Sequence, residues 1–257
     1  MSLLLEVKDL SKAYDEKQVV QNIQFAVREG ELLGFIGPNG AGKSTTIKML
    51  IDVETKDSGE ILLRGERIEQ GLKSGKGSAA FKKSMGVVPQ DIAVYDDISA
   101  YNNVKFFCSL YGFRGKELTE KVREALEFVG LWERRKELPT KFSGGMKRRL
   151  NIACSIAHSP KLLIMDEPTV GIDPQSRNHI MDAIRVLNQR GTTVIYVSHY
   201  MEEIEAICDR VVIMDHGKII EDMEKDKLKS KYKEQGRNTL EEIFLHLTGT
   251  QLRDEEA

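Results

Sequence analysis

Three cysteines in 257 residues, at Cys108, Cys154 and Cys208, are too few and too far apart for a disulfide framework or a zinc ligand set. They read as buried thiols in a reducing compartment. The chain also lacks net charge: 38 Lys plus Arg against 40 Asp plus Glu leave −2. So balanced a chain has no global basic field for nucleic acid, although a local patch stays open. No apolar run approaches the ~20 residues that a membrane span needs. The opening MSLLLEVKDL has three leucines and then Glu, Lys and Asp, which is too short and too quickly charged for a signal peptide. The expectation is a protein that is neither secreted nor able to cross a bilayer alone. With 40% hydrophobic and 30% charged residues it reads as a globular chain, long enough for one large domain or two small ones.

Strand-like and helix-like stretches alternate along the chain. Residues 3–7 are apolar, and Ile23, Phe25 and Val27 alternate as in a strand with one buried face. Glu31-Leu32-Leu33-Gly34-Phe35-Ile36 reads as a short buried strand that enters a Gly-rich turn, and a helix carrying Ile47, Leu50 and Ile51 leaves it. Ile61–Leu63 is a further strand, and GLKSGKGS at 71–78 reads as a surface loop. From about 91 to 157 the texture becomes charged and helical, with Val122, Ala125, Leu126 and Val129 on one face and Gly130 as a C-cap. Buried-strand patterns return at Leu162–Met165, Thr193–Val197 and Val211–Met214, with a helix over Ile180, Ala183, Ile184 and Leu187. Alternation of this kind predicts a parallel sheet covered on both faces, with 91–157 as a helical insertion. The tail after Glu221 is dense in Lys and Glu. It holds Leu240, Ile243, Phe244 and Leu247 at helical spacing, an amphipathic helix that docks on its own chain or on a partner.

Three segments carry chemistry. GPNGAGKST at 37–45 satisfies G-x-x-x-x-G-K-[ST] through Gly37, Gly42, Lys43 and Ser44. Glycines let successive N–H groups curl toward phosphate oxygens, and the helix N-terminus adds its positive end. Asn39 and Gly40 contribute backbone N–H groups, Lys43 a point charge between β- and γ-phosphates, and the Ser44 hydroxyl a ligand for Mg²⁺. The strand before and helix after favour this over a ligand-free glycine turn. Leu162–Met165 then delivers Asp166 and Glu167 to the end of a buried strand, where ligands of open sheets sit. Asp166 can hold Mg²⁺ through water and Glu167 can act as general base, although an Asp-Glu pair alone is more often a surface turn. Ser143, Gly144 and Gly145 open a helix and form a second anion site. One nucleotide does not need two triphosphate sites, so the second serves the nucleotide of another subunit.

Over nearly its whole length the sequence resembles an ATP-binding subunit of an ABC transporter. The matching segments are GPNGAGKST, Gln90 in VVPQ, FSGGM at 142–146, LLIMDEP, GIDP at 171–174, His199 in YVSHY and the aromatic Tyr14, all in the family's order. Phe142 and Met146 depart from the family's Leu and Gln, and Ile172 from its Leu, but Ser143, Gly144 and Gly145 are intact. SGGMKRRLNIA and LEEIFLHLTG are similar to the drug-resistance-type exporter branch.

The resemblance implies an α/β P-loop ATPase core at 1–221. It has a mostly parallel central sheet, an N-terminal antiparallel β subdomain and the inserted helical subdomain. Residues 222–257 form a charged tail with the amphipathic helix at about 239–248. It implies ATP and Mg²⁺ as ligands and Glu167, His199 and Gln90 as catalytic residues. Gln90 and Ser44 join Asp166 at the metal, while Thr45 completes the phosphate loop. Tyr14 stacks on adenine. Ser143, Gly144, Gly145 and Asp173 reach the partner's nucleotide, with a plain turn aspartate as the alternative for Asp173. The implied partners are a second such subunit, as a homodimer, and a separate integral membrane permease, with no nucleic acid. The implied place is the cytoplasm, peripheral on the inner face of the cell membrane, and the implied transport is export. The rival is an ABC ATPase acting on nucleic acid or ribosomes. It is disfavoured by the single cassette, the short interval from Gln90 to Ser143 and the neutral charge. A purely regulatory nucleotide switch is disfavoured by Glu167 and His199.

Overall fold

The computed structural model describes residues 2–68 and 81–249. Its strands are β1 (Leu3–Tyr14), β2 (Lys17–Arg28), β3 (Leu32–Ile36), β4 (Ser58–Leu63), β5 (Glu66–Arg67), β6 (Met85–Val88), β7 (Leu162–Asp166), β8 (Thr193–Val197), β9 (Arg210–Asp215) and β10 (Lys218–Glu224). Its longer helices are α1 (Lys43–Leu50), α2 (Ala100–Leu110), α3 (Gly115–Phe128), α4 (Gly144–Ile156), α5 (Pro174–Gln189), α6 (Met201–Ile207), α7 (Lys225–Lys233) and α8 (Leu240–Thr248). The expected loop at 71–78 lies outside the described residues. Two compact units divide the chain at residues 82/83 and 192/193.

In the first unit, residues up to 82 and from 193 onward, β2-β1-β4-β5 form an antiparallel N-terminal sheet. β3 pairs in parallel with β8 on one side and β9 on the other, and β10 returns antiparallel along β9. All five residues of β3 are buried, as a parallel strand covered on both faces requires. A Cβ on Gly34 of β3 would stand 2.9 Å from Ile204 of α6, so only glycine lets that helix lie so close. The capping box of Thr239 and Glu242 starts α8. Its apolar face, Leu240 and Ile243, is fully buried, and α8 packs against α6 and α7. The amphipathic tail helix is therefore covered by its own chain.

In the second unit, residues 83–192, β6 pairs in parallel with β7. Around this pair stand α2, capped by Ser99, the amphipathic α3 with Leu118, Val122, Ala125 and Leu126 buried, α4 and α5. Gly130 has φ of 68° just past α3, and the Gly130 and Leu131 N–H groups close back on Glu127 and Leu126. That is a Schellman end of the kind a glycine at this point foretells. The expected helical insertion at 91–157 falls within this unit. All three cysteines are buried and free. Burial pushes the Cys108 thiol up to about 11 and those of Cys154 and Cys208 higher still, which leaves them unreactive.

Candidate functional site

The first unit holds the phosphate loop between β3 and α1. Gly40 and Gly42 have φ of 75° and 102°, left-handed values that L side chains rarely adopt. The loop is also pressed from behind. A Cβ on Gly37 would lie 2.3 Å from the Met214 carbonyl oxygen, and one on Gly42 2.6 Å from that of Val19. The Lys43 ammonium is buried inside the curl and donates to the Gly37 and Pro38 carbonyls at 2.6 and 3.0 Å. Thr46 anchors the first turn of α1 on the Gly42 carbonyl at 2.9 Å. Asn39, Gly40 and Ser44 are exposed and Thr45 is half-buried, so their N–H and hydroxyl groups are accessible to an incoming phosphate.

Tyr14 ends β1 with its ring 41% exposed. Its support was not legible in the motifs. Lys12, only 8% exposed, places Nζ 3.0 Å from Glu54 Oε1, 3.3 Å from Asp57 Oδ1 and 5.3 Å from the Tyr14 ring centre. Desolvation first, and then the Glu54 carboxylate, raise the Tyr14 hydroxyl above its ordinary value.

His199 stands exposed between β8 and α6, its ring 4.2 Å from that of Tyr200. The turn beneath it is braced by Glu203, which is 2% exposed. Glu203 accepts from Tyr196 Oη at 2.8 Å and Ser198 Oγ at 3.0 Å, and Ser198 Oγ accepts from the Tyr200 N–H at 3.0 Å. Sequence reasoning passed over Glu203, because a Glu in a first helical turn reads as a surface partner of the helix dipole.

The second unit holds the other candidates. β7 delivers Asp166 and Glu167, both half-buried, and Gln90 follows β6. Gln90 Nε2 donates to Glu167 Oε2 at 3.1 Å, which brings these two side chains together. Glu167 has φ of 46°, a left-handed conformation uncommon for a glutamate. Ser143 caps α4 by accepting from the Met146 N–H at 3.3 Å. A Cβ on Gly145 would stand 2.5 Å from Ser176 Oγ, so packing against α5 already demands glycine there. At Gly144 an added Cβ would meet nothing within 4 Å. The chain's own packing therefore does not require glycine at that position. Asp173 caps α5, accepting from the Gln175 and Ser176 N–H groups at 3.1 and 3.0 Å, and the Ser176 N–H first of all holds its carboxyl below the usual range. The capping role fully employs one carboxylate oxygen.

The ABC transporter family matches residues 20–170 of this chain. The linearmycin resistance ATP-binding protein of Bacillus subtilis (strain 168) is 49% identical over 217 residues, 84% of this chain and 68% of that protein. The Nod factor export ATP-binding protein I of Rhizobium sp. (strain N33) is 37% identical over 214 residues, 83% of this chain and 68% of that protein. A solved ATP-binding subunit of an ABC transporter superposes with a TM-score of 0.83 at 29% identity, covering 95% of this chain and 99% of that one. The chain belongs to the ABC transporter family. Within it, the chain is an ATP-binding, ATP-hydrolysing subunit of the drug-resistance type. Among the described residues no helix is long and apolar enough to cross a membrane.

Proposed function

We propose that this chain binds MgATP through its phosphate loop and hydrolyses it within a dimer of two such chains. Each ATP is sandwiched between the loop of one chain and the Ser143–Gly145 turn of the other. Lys43 and the loop N–H groups neutralise the β- and γ-phosphates, and Tyr14 stacks on the adenine. Ser44, Gln90 and Asp166 carry the oxygen donors that fit a hard cation, and Mg²⁺ held by them would supply positive charge against the phosphates. Gln90 orients a water for attack on the γ-phosphorus. Its proton passes to Glu167 as the bond to the β-phosphate oxygen breaks. His199 contacts the γ-phosphate, and Asp173 approaches the partner's loop. Dimer closure and release then drive a separate integral membrane permease on the inner face of the cell membrane, for export.

The observation that supports this most is the 3.1 Å contact of the Gln90 amide with Glu167 at the end of a buried strand. The open space beside Gly144 fits the sandwich. In the test, Glu167→Gln is loaded with MgATP and run on a sizing column beside the wild type. A stable dimer with turnover reduced by about two to four orders of magnitude supports the reading, the range a general base contributes. Wild-type turnover in the variant would overturn Glu167 as the base. Capture of the same trapped form from detergent-solubilised membranes is expected to bring down a polytopic membrane protein in stoichiometric amount.

A further inference from the structure

Helix α4, which Ser143 caps, contains a buried charge that the scheme above does not use. Arg148 lies five residues past Ser143, about 7.5 Å along the helix axis, and is 4% exposed. Its guanidinium donates from Nη1 to the Pro89 carbonyl at 2.9 Å and from Nη2 to the Gln90 carbonyl at 2.6 Å. Nε is buried without a hydrogen bond. Burial holds its pKa below that of a free guanidinium, partly offset by the charge of Asp91. Helix docking does not need this arrangement, because Leu150, Ile152 and Ala153 already bury α4. Sinking a cation onto two neutral carbonyls is costly, and what the cost secures is the backbone position of Gln90. The Gln90 side chain in turn reaches Glu167.

We infer that Arg148 is a positioning residue that sets Gln90 against Glu167 and so ties the Ser143 turn to hydrolysis in the same chain. The inference rests on the role proposed for Gln90. The backbone of α4 links Ser143, its cap, to Arg148, and hydrogen bonds run from Arg148 to the Gln90 carbonyl and from the Gln90 amide to Glu167. A nucleotide of the second subunit that engages Ser143 would act on the first turn of α4. Arg148, one and a half turns further on, passes that displacement to the residue that orients the water. A planar fork grips two successive carbonyls at once, and an ammonium cannot reproduce that geometry.

Four variants test this: Arg148→Lys, Arg148→Met, Gln90→Ala and the double Gln90→Ala, Arg148→Met. Each is assayed for steady-state ATP hydrolysis against ATP concentration, with its melting temperature. Both Arg148 variants are expected to lose about ten-fold or more in kcat, with KM for ATP within about two-fold, and to lose cooperativity in ATP. The double variant is expected to be no slower than Gln90→Ala, because Arg148 acts through Gln90. Losses that multiply in the double variant would overturn the inference and leave a purely structural role. Wild-type kcat in Arg148→Lys, with Gln90→Ala slow, would overturn it as well. If Arg148→Met does not fold, the lysine variant and its double with Gln90→Ala carry the same comparison. Wild-type turnover in Gln90→Ala itself would instead refute the role given to Gln90, and the inference with it.

Discussion

Acid is expected to loosen the second unit through one buried histidine. His158 is 6% exposed, stacks on Tyr111 with ring centres 3.5 Å apart and planes 7° from parallel, and bonds the Met85 carbonyl oxygen through Nε2 at 3.0 Å. A carbonyl only accepts, so Nε2 carries a proton, while Nδ1 is buried with no hydrogen-bond partner, as fits the bare nitrogen of a neutral ring. Burial, above all, pushes its pKa from 6.5 down to about 4. Above about pH 6.5 the ring is neutral in both folded and unfolded chains and the pKa difference has no effect. As the pH falls from there, the unfolded chain takes up a proton that the folded one refuses, so stability drops by about 1.4 kcal/mol per pH unit. The loss ends near pH 4, at about 3 kcal/mol in total. The assay is urea unfolding between about pH 7.5 and pH 4.5, followed by the fluorescence of Trp132, which is the sole tryptophan and lies in the same unit. His158→Gln keeps an N–H donor but does not titrate. It is expected to begin about 1 kcal/mol less stable near pH 7.5, from lost stacking and a poorer hydrogen bond, to cross the wild type near about pH 6, and to be the more stable of the two by about 1–2 kcal/mol at about pH 4.5. An identical pH dependence in both proteins would refute the reasoning. Because Met85 opens the strand that leads to Gln90, the same acid step is expected to reduce ATP turnover before the unit unfolds.

Three further outcomes follow from the geometry. Tyr14→Ala is expected to weaken ATP binding by about 5- to 150-fold, the equivalent of the 1–3 kcal/mol of base stacking, while leaving tripolyphosphate binding unchanged; fluorescent-nucleotide displacement measures both. Gly37→Ala forces a methyl group against the Met214 carbonyl, so calorimetry is expected to show a loss of about 1–3 kcal/mol from overpacking, together with weaker nucleotide binding. Leu240→Ala empties a fully buried site under α8, which is expected to cost about 2–5 kcal/mol and to lower Tm by about 5–15 °C; an unchanged Tm would mean that α8 does not rest on its own chain in solution.

The parts of the fold that read easily from sequence were those with a single strong physical cause. β8 is five buried residues between polar flanks, and the sequence pattern finds its limits at Thr193 and Val197. Gly130 ends α3 because only a left-handed residue closes that helix end. β1 was visible only over residues 3–7, because register shifts after Leu3, Val7 and Leu10 and a left-handed Asp9 break its alternation. β10 was hidden for another reason: most of KIIEDME remains partly or fully exposed along an outer strand, so charge does not exclude strand there. In the candidate site, the motif residues were legible as motifs, while their supports were not. Lys12, Glu203 and Arg148 are charged residues whose burial depends on tertiary contacts, and a sequence read in one dimension assigns such residues to the surface.

The left-handed backbone of Glu167 places two kinds of selection in opposition. A glutamate held at φ of 46° costs the folded chain about 1–3 kcal/mol relative to a residue at ease there, and asparagine is such a residue. Libraries screened for heat resistance alone are therefore drawn toward asparagine or glycine at 167, and libraries screened for turnover toward glutamate. A lineage that has lost its transported cargo and retains only a need to fold would be expected to shed this residue early. Under the role proposed for Glu167, its retention at this strained position is what a continuing demand for hydrolysis would impose.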